Sequence, residues 1–93
     1  MKTIHFKPGS ELTFRSVVGV RAKLSKVIMD SACTHLNLNL SEVMHCDSAG
    51  MALLLEARKL CKKNNKTFEI IGMSPETRSL ADFCGVKDIL DAI

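Results

Sequence analysis

Thr34-His35-Leu36-Asn37-Leu38-Asn39-Leu40 leads through a short loop into Asp47-Ser48-Ala49-Gly50-Met51-Ala52-Leu53-Leu54-Leu55-Glu56-Ala57-Arg58-Lys59-Leu60-Cys61-Lys62-Lys63. The first run alternates leucine with polar residues at period two, which makes a strand with one leucine face. In the second, Gly50, Leu53, Leu54, Ala57, Leu60 and Cys61 fall together at about 100° per residue, so they form the buried face of a helix. A strand that runs directly into an amphipathic helix is the first half of a β-α-β unit.

Working outward, the same alternation repeats. Lys2 to Phe6 reads as a short strand that Pro8-Gly9 ends. Val17, Val20, Leu24, Val27 and Ile28 are spaced for a helix over Val17–Met29, with Ser16 or Thr13 as its N-cap. Asn64-Asn65 closes the central helix, and Thr67-Phe68-Glu69-Ile70-Ile71 reads as the next strand. Ser74-Pro75-Glu76 opens a further helix with a capping hydroxyl, a proline at its first position and an acid in its first turn. That helix runs to about Cys84, where Gly85 suits a left-handed cap. Val86, Ile89, Leu90 and Ile93 make a last helical stripe. The order predicts a single α/β domain over residues 1–93 with parallel pairing. Sites in such folds form at the carboxyl ends of the strands, here the segment Ser41 to Gly50.

Composition narrows the function. Hydrophobic residues are 46% and charged residues 25%, an ordinary globular balance that argues against wholesale disorder. The longest apolar run, Ala52 to Leu55, is far too short to span a bilayer, and the first residues show no apolar signal core. A cytoplasmic location is therefore expected, with no membrane insertion. Thirteen cations against ten acids leave +3, modest for a nucleic-acid partner. Tryptophan and tyrosine are absent, so stacking platforms for bases are few. The cations are spread along the chain, apart from a local cluster at Lys59, Lys62, Lys63 and Lys66. Cys33, Cys46, Cys61 and Cys84 contain no Cys-x-x-Cys pair and read as reduced, mostly buried thiols rather than a metal site. No glycine-rich phosphate loop is present, and no cofactor is expected.

Ser48, Met51, Leu55, Arg58 and Lys62 follow a second line along the central helix, read as lying opposite its core face. A hydroxyl, two apolar residues and two cations on a solvated face suggest a docking stripe rimmed by positive charge. Ser48 is also expected to cap the helix, where free N–H groups favour an anion. Asp47 is read as a hydrogen-bonding support for the loop. A hydrolase nucleophile is not expected: position 46 is cysteine where an elbow needs glycine, and adjacency in sequence does not place His45 as a general base.

The run Leu38-Asn39-Leu40-Ser41-Glu42-Val43 followed by Asp47-Ser48-Ala49-Gly50 resembles the signature of STAS domains, the family of bacterial anti-sigma factor antagonists and of sulfate-transporter tails. The resemblance implies a small mixed, mostly parallel sheet with helices packed on one side. Gly50 to Ala57, Pro75, Leu80-Ala81, Gly85 to Leu90, and Glu11-Leu12-Thr13-Phe14 with Ser16-Val17 resemble the branch that serves inner-membrane ABC phospholipid transporters, which maintain outer-membrane lipid asymmetry. It implies a non-enzymatic subunit that binds the transporter's ATPase, reaches the permease indirectly and is peripheral at the membrane through that complex. The implied partner contacts are Ser48, Met51 and Leu55, with Arg58, Lys62, Asp47 and His45 around them. The alternative is an anti-sigma factor antagonist switched by phosphorylation of Ser48. Two departures stand out. Asn39 replaces the family's usual aspartate, and the N-terminal region is short, so a hairpin strand of the family is expected to be either missing or curtailed, which would leave a sheet edge exposed.

Overall fold

The structure, a computed structural model, describes residues 2–86. The elements are β1 (Thr3–Phe6), β2 (Glu11–Leu12), α1 (Val17–Met29), β3 (His35–Asn39), β4 (His45–Cys46), α2 (Ser48–Lys63), β5 (Thr67–Ile71) and α3 (Pro75–Phe83). The expected last helix lies, beyond Val86, outside the described residues.

The sheet has the order β1-β3-β5, and each pairing is parallel. Register puts Ile4, Leu36 and Phe68 side by side, then Phe6, Leu38 and Ile70. Period two sends these side chains to one face. There they join Leu24 and Ile28 of α1, Leu53, Leu54 and Ala57 of α2 and Ala81 of α3 in one core. The alternate row, His5, Asn37 and Glu69, forms the opposite, polar face, where the Asn37 amide donates to Glu69 Oε1 at 3.0 Å. α1 and α2 serve as the two crossovers that parallel neighbours require.

Two short strands have no counterpart in the periodicity of the sequence. β2 and β4 pair in parallel, Glu11 with His45 and Leu12 with Cys46, apart from the main sheet. β2 pairs with β4 rather than extending the sheet, so β1 is an edge strand among the described residues.

The helix bounds agree with the spacing, but the rotation of α2 does not. Met51 is 2% exposed and belongs to the core, so it is no part of an exposed stripe. The angle explains the correction. Counting about 100° per residue from Gly50, Met51 lies on the flank of the core face rather than opposite it, while Lys59 takes the far side. The first turn of α2 also sits deep, because a Cβ built on Gly50 would be 2.0 Å from the Leu12 carbonyl oxygen. Only glycine permits that approach, and it draws Met51 inward with it. Leu55 is half-buried and packs against the core edge.

A second correction concerns the caps. The residue in extended conformation before α2 is Asp47, at φ −116° and ψ −172°, and its carboxylate accepts from the Gly50 N–H. Ser48 is the first helical residue and does not cap. At α1, Ser16 holds the cap position, but its hydroxyl turns back to donate to the Glu11 carbonyl at 2.8 Å. Ser74 caps α3 by accepting from the Thr77 N–H, and Gly85 follows at φ +74°. Of the thiols, Cys33 and Cys61 are buried, Cys46 is half-buried and Cys84 is exposed.

Candidate partner-docking site

The N-terminus of α2 is tied to the segment before α1 by backbone and side chain together. The Met44 and His45 N–H groups both donate to the Ser10 carbonyl, and the Asp47 N–H donates to that of Leu12. The two oxygens of Asp47 divide their work: Oδ1 accepts from the Gly50 N–H and Oδ2 from the Phe14 N–H, each at 3.0 Å. One carboxylate thus caps α2 and holds the Thr13–Ser16 turn against it. These two backbone donors, Gly50 first and then Phe14, hold its carboxyl below the usual carboxylate range. The expected supporting role of Asp47 is present, and it includes the cap.

Ser48 emerges from this junction exposed, and its hydroxyl makes no hydrogen bond among the described residues. The segments that meet at this junction expose apolar side chains that the helix wheel does not indicate. Phe14 is 69% and Met44 78% exposed, and Val18, on the first turn of α1, is also exposed. Phe14 and His45 line one shallow depression with Glu11, Thr13, Arg15 and Asp47. The Arg15 guanidinium lies 5.7 Å from the centre of the Phe14 ring, a cation–π distance. The alternation Leu12-Thr13-Phe14 was the one available signal for this patch: it buries Leu12 and turns Phe14 out.

The sequence-predicted residues separate into two groups. His45, Asp47 and Ser48 share the end just described. Arg58 and Lys62 line a different depression with Lys66, Thr67 and Phe68, near the other end of α2. Helical rise puts Lys62 about 21 Å along the axis from Ser48. Leu55 lies between the groups, and Met51 lies beneath the surface.

His45 makes no hydrogen bond to the Ser48 hydroxyl. Burial, reinforced by the Asp47 charge and by Cys84, pushes the Cys46 thiol up to about 11, so it stays protonated at neutral pH and is a weak nucleophile. Among the described residues no cluster of three His, Cys, Asp or Glu side chains is arranged to hold a metal ion. No helix among them is long and apolar enough to cross a membrane.

Known proteins are similar to this chain in sequence and fold. The chain is 38% identical over 55 residues to the intermembrane phospholipid transport system binding protein MlaB of Haemophilus influenzae, a match covering 59% of this chain and 52% of that relative. It is 33% identical over 85 residues to the anti-sigma-B factor antagonist of Staphylococcus epidermidis, covering 90% of this chain and 77% of the relative. Among solved structures, unphosphorylated SpoIIAA, an anti-sigma factor antagonist, superposes with a TM-score of 0.77 at 25% identity, covering 94% of this chain and 76% of that one. A sulfate transporter family protein from Wolinella succinogenes shares the fold, with a TM-score of 0.76 at 20% identity over 95% of this chain and 70% of that one. The STAS domain model matches residues 2–93, so this chain belongs to the STAS domain family.

Proposed function

We propose that the chain is a non-enzymatic accessory subunit of an ABC phospholipid transporter and that its Ser48 end docks on the ATPase subunit, an MlaF-like partner, and through it reaches the permease. The observation that carries this reading is that Phe14, whose N–H is held by Asp47, and Met44, just before β4, are both exposed on the segments that meet at the unbonded Ser48. Exposed aromatic and methionine side chains beside polar groups are the composition of a protein interface. The 38% identity to MlaB supports the transporter branch. The docking surface is then Ser48, His45 and Asp47 with Phe14 and Met44, and Leu55 stands at its margin. This subunit is peripheral at the inner membrane through its partner.

A second reading is favoured by coverage: the anti-sigma-B factor antagonists align over 90% of the chain. In that reading Ser48 accepts a phosphate from a kinase partner and the added charge releases the complex. Co-expression with the transporter ATPase from the same source separates the two. Under the transporter reading the pair co-purifies, and Phe14→Ser with Met44→Ser abolishes the association. Stoichiometric phosphorylation of Ser48 by a source lysate and ATP, seen as an intact-mass shift, together with no ATPase capture, decides for the anti-sigma reading.

A further inference from the structure

The end of the molecule opposite Ser48 is where the carboxyl ends of α1 and α2 meet the first residues of β1, β3 and β5. The Lys66 N–H donates to the Cys61 carbonyl at 2.8 Å, and the Thr67 N–H to that of Thr34 at 3.1 Å. The Lys2 N–H donates to Thr34 Oγ1 at 2.8 Å. Lys66 Nζ reaches across to the carbonyls of Ile28 and Asp30 at the end of α1. The fold thereby brings Lys2 and Lys26 to the end that already carries the sequence cluster Arg58, Lys59, Lys62, Lys63 and Lys66. Asp30 and Glu69, whose carboxylate lies 3.5 Å from His35 at the start of β3, are the acids there among the described residues. Seven cations less two acids give 7 − 2 = +5 at this end, against +3 for the whole chain.

Helix dipoles account for little of this. Each helix carboxyl end carries roughly half a negative charge, so two ends offset about one cation, and Lys66 already serves α1. Lys26, Lys59, Lys62 and Lys63 are exposed and make no ion pair among the described residues. Met29, the last residue of α1, is 60% exposed at this end, between the two residues whose carbonyls hold Lys66. An exposed apolar side chain at a lysine-rich end is the composition of a surface that rests on anionic headgroups.

We propose that this end binds the surface of an anionic phospholipid bilayer, the lysines at the headgroups and Met29 dipping into the interface. The chemistry favours a bilayer over nucleic acid. The aromatic residue lining this end's depression, Phe68, is 7% exposed and offers no stacking face. Six of the seven cations are lysines, point charges without the planar fork that reads phosphates in fixed geometry. A diffuse layer of negative charge asks for no such geometry. The 16-residue α2 holds the two ends about 24 Å apart, so membrane contact leaves the Ser48 end free. The inference does not rest on the identity of the partner there.

Vesicle flotation of the full chain tests it, with phosphatidylcholine alone and with phosphatidylcholine mixed with phosphatidylglycerol, at low and high salt. The expected result is at least about tenfold stronger binding to the mixed vesicles at low salt, lost at high salt. Combined Lys59→Gln, Lys62→Gln and Lys63→Gln should weaken that binding more than about tenfold. Met29→Ser should weaken it several-fold with the salt dependence kept. Ser48→Asp should leave it unchanged, which separates this surface from the docking end. The salt and lipid dependence of the wild type needs no variant to fold. Equal binding to both vesicle types, or a triple variant that folds by circular dichroism and binds like the wild type, overturns the proposal. Binding of polyuridine RNA with no vesicle binding overturns it in favour of nucleic acid.

Discussion

Asp47 and Ser48 are adjacent, both are good capping residues, and the backbone assigns them different work. Asp47 takes the extended conformation and both hydrogen bonds, which leaves Ser48 to solvent. Ser48→Ala should therefore stay within about 0.5 kcal/mol of the wild type, as exposed positions usually do. Asp47→Ala should lower the urea midpoint clearly, since it frees both the α2 cap and the turn before α1. A larger loss from Ser48→Ala than from Asp47→Ala would reverse the assignment. The pH dependence has a sign. The folded carboxyl titrates below its unfolded value, so its contribution is complete above about pH 4 and is lost as pH falls through the folded value. Midpoints measured down through acid pH should drop for the wild type and drop less for Asp47→Ala. Asn39 answers a question the sequence leaves open. Its side-chain oxygen accepts from the Ser41 N–H at 2.9 Å, so the amide keeps the turn-closing acceptor that an aspartate would supply while dropping its charge.

At the scale of elements, the strands and helices of the main layers were legible because each carries a clean period, two in His35–Asn39 and 3.6 in Ser48–Lys63. Two things were not legible. The two-residue strands β2 and β4 are too short to show any period and exist through the pairing of loops distant in sequence. The rotation of α2 depends on what its first turn rests upon, and that is the Leu12 backbone beneath Gly50. A wheel drawn from the sequence sorts residues by angle but does not say how wide the buried arc is. Hence the wheel puts Met51 on the surface, and it carries no sign of Phe14 and Met44, which lie outside α2 and are exposed. Two substitutions measure the seat. Met51→Ala should cost about 2–5 kcal/mol by opening a core cavity. Gly50→Ala should cost about 1–3 kcal/mol, because the Leu12 carbonyl must move to admit the methyl group. If urea midpoints for both stay at the wild-type value, α2 does not sit as described.

For the whole molecule, charge and thiol burial report organisation that no single element contains. Alternation of strands and helices makes the parallel sheet readable, and the cluster Lys59, Lys62, Lys63 and Lys66 shows in the sequence, but its union with Lys2 before β1 and Lys26 of α1 does not, since that is made by the fold. The four thiols form a graded set of probes through the same body, from Cys84 exposed, through Cys46 half-buried, to Cys33 and Cys61 at 1% and 0% exposure. Burial, with Cys33 beside it, pushes the Cys61 thiol up to about 11, and Cys46 stands at the same level. At neutral pH the native protein should therefore take up one alkyl group quickly at Cys84 and a second slowly at Cys46. Cys33 and Cys61 become reactive when the core opens, so their rate should follow global stability and rise in step with Met51→Ala. The alkaline limb follows from the same burial. Both thiols stay protonated in the fold past the pH where the unfolded chain releases its protons, so stability should fall as pH rises from about 9 toward 11. Replacing Cys61 by alanine should lower the midpoint at neutral pH and flatten that decline. Iodoacetamide labelling followed by peptide mass spectrometry reads the order directly, and Cys61 or Cys33 modified as fast as Cys84 in the native protein would contradict the packing of α2 against β3 and β5.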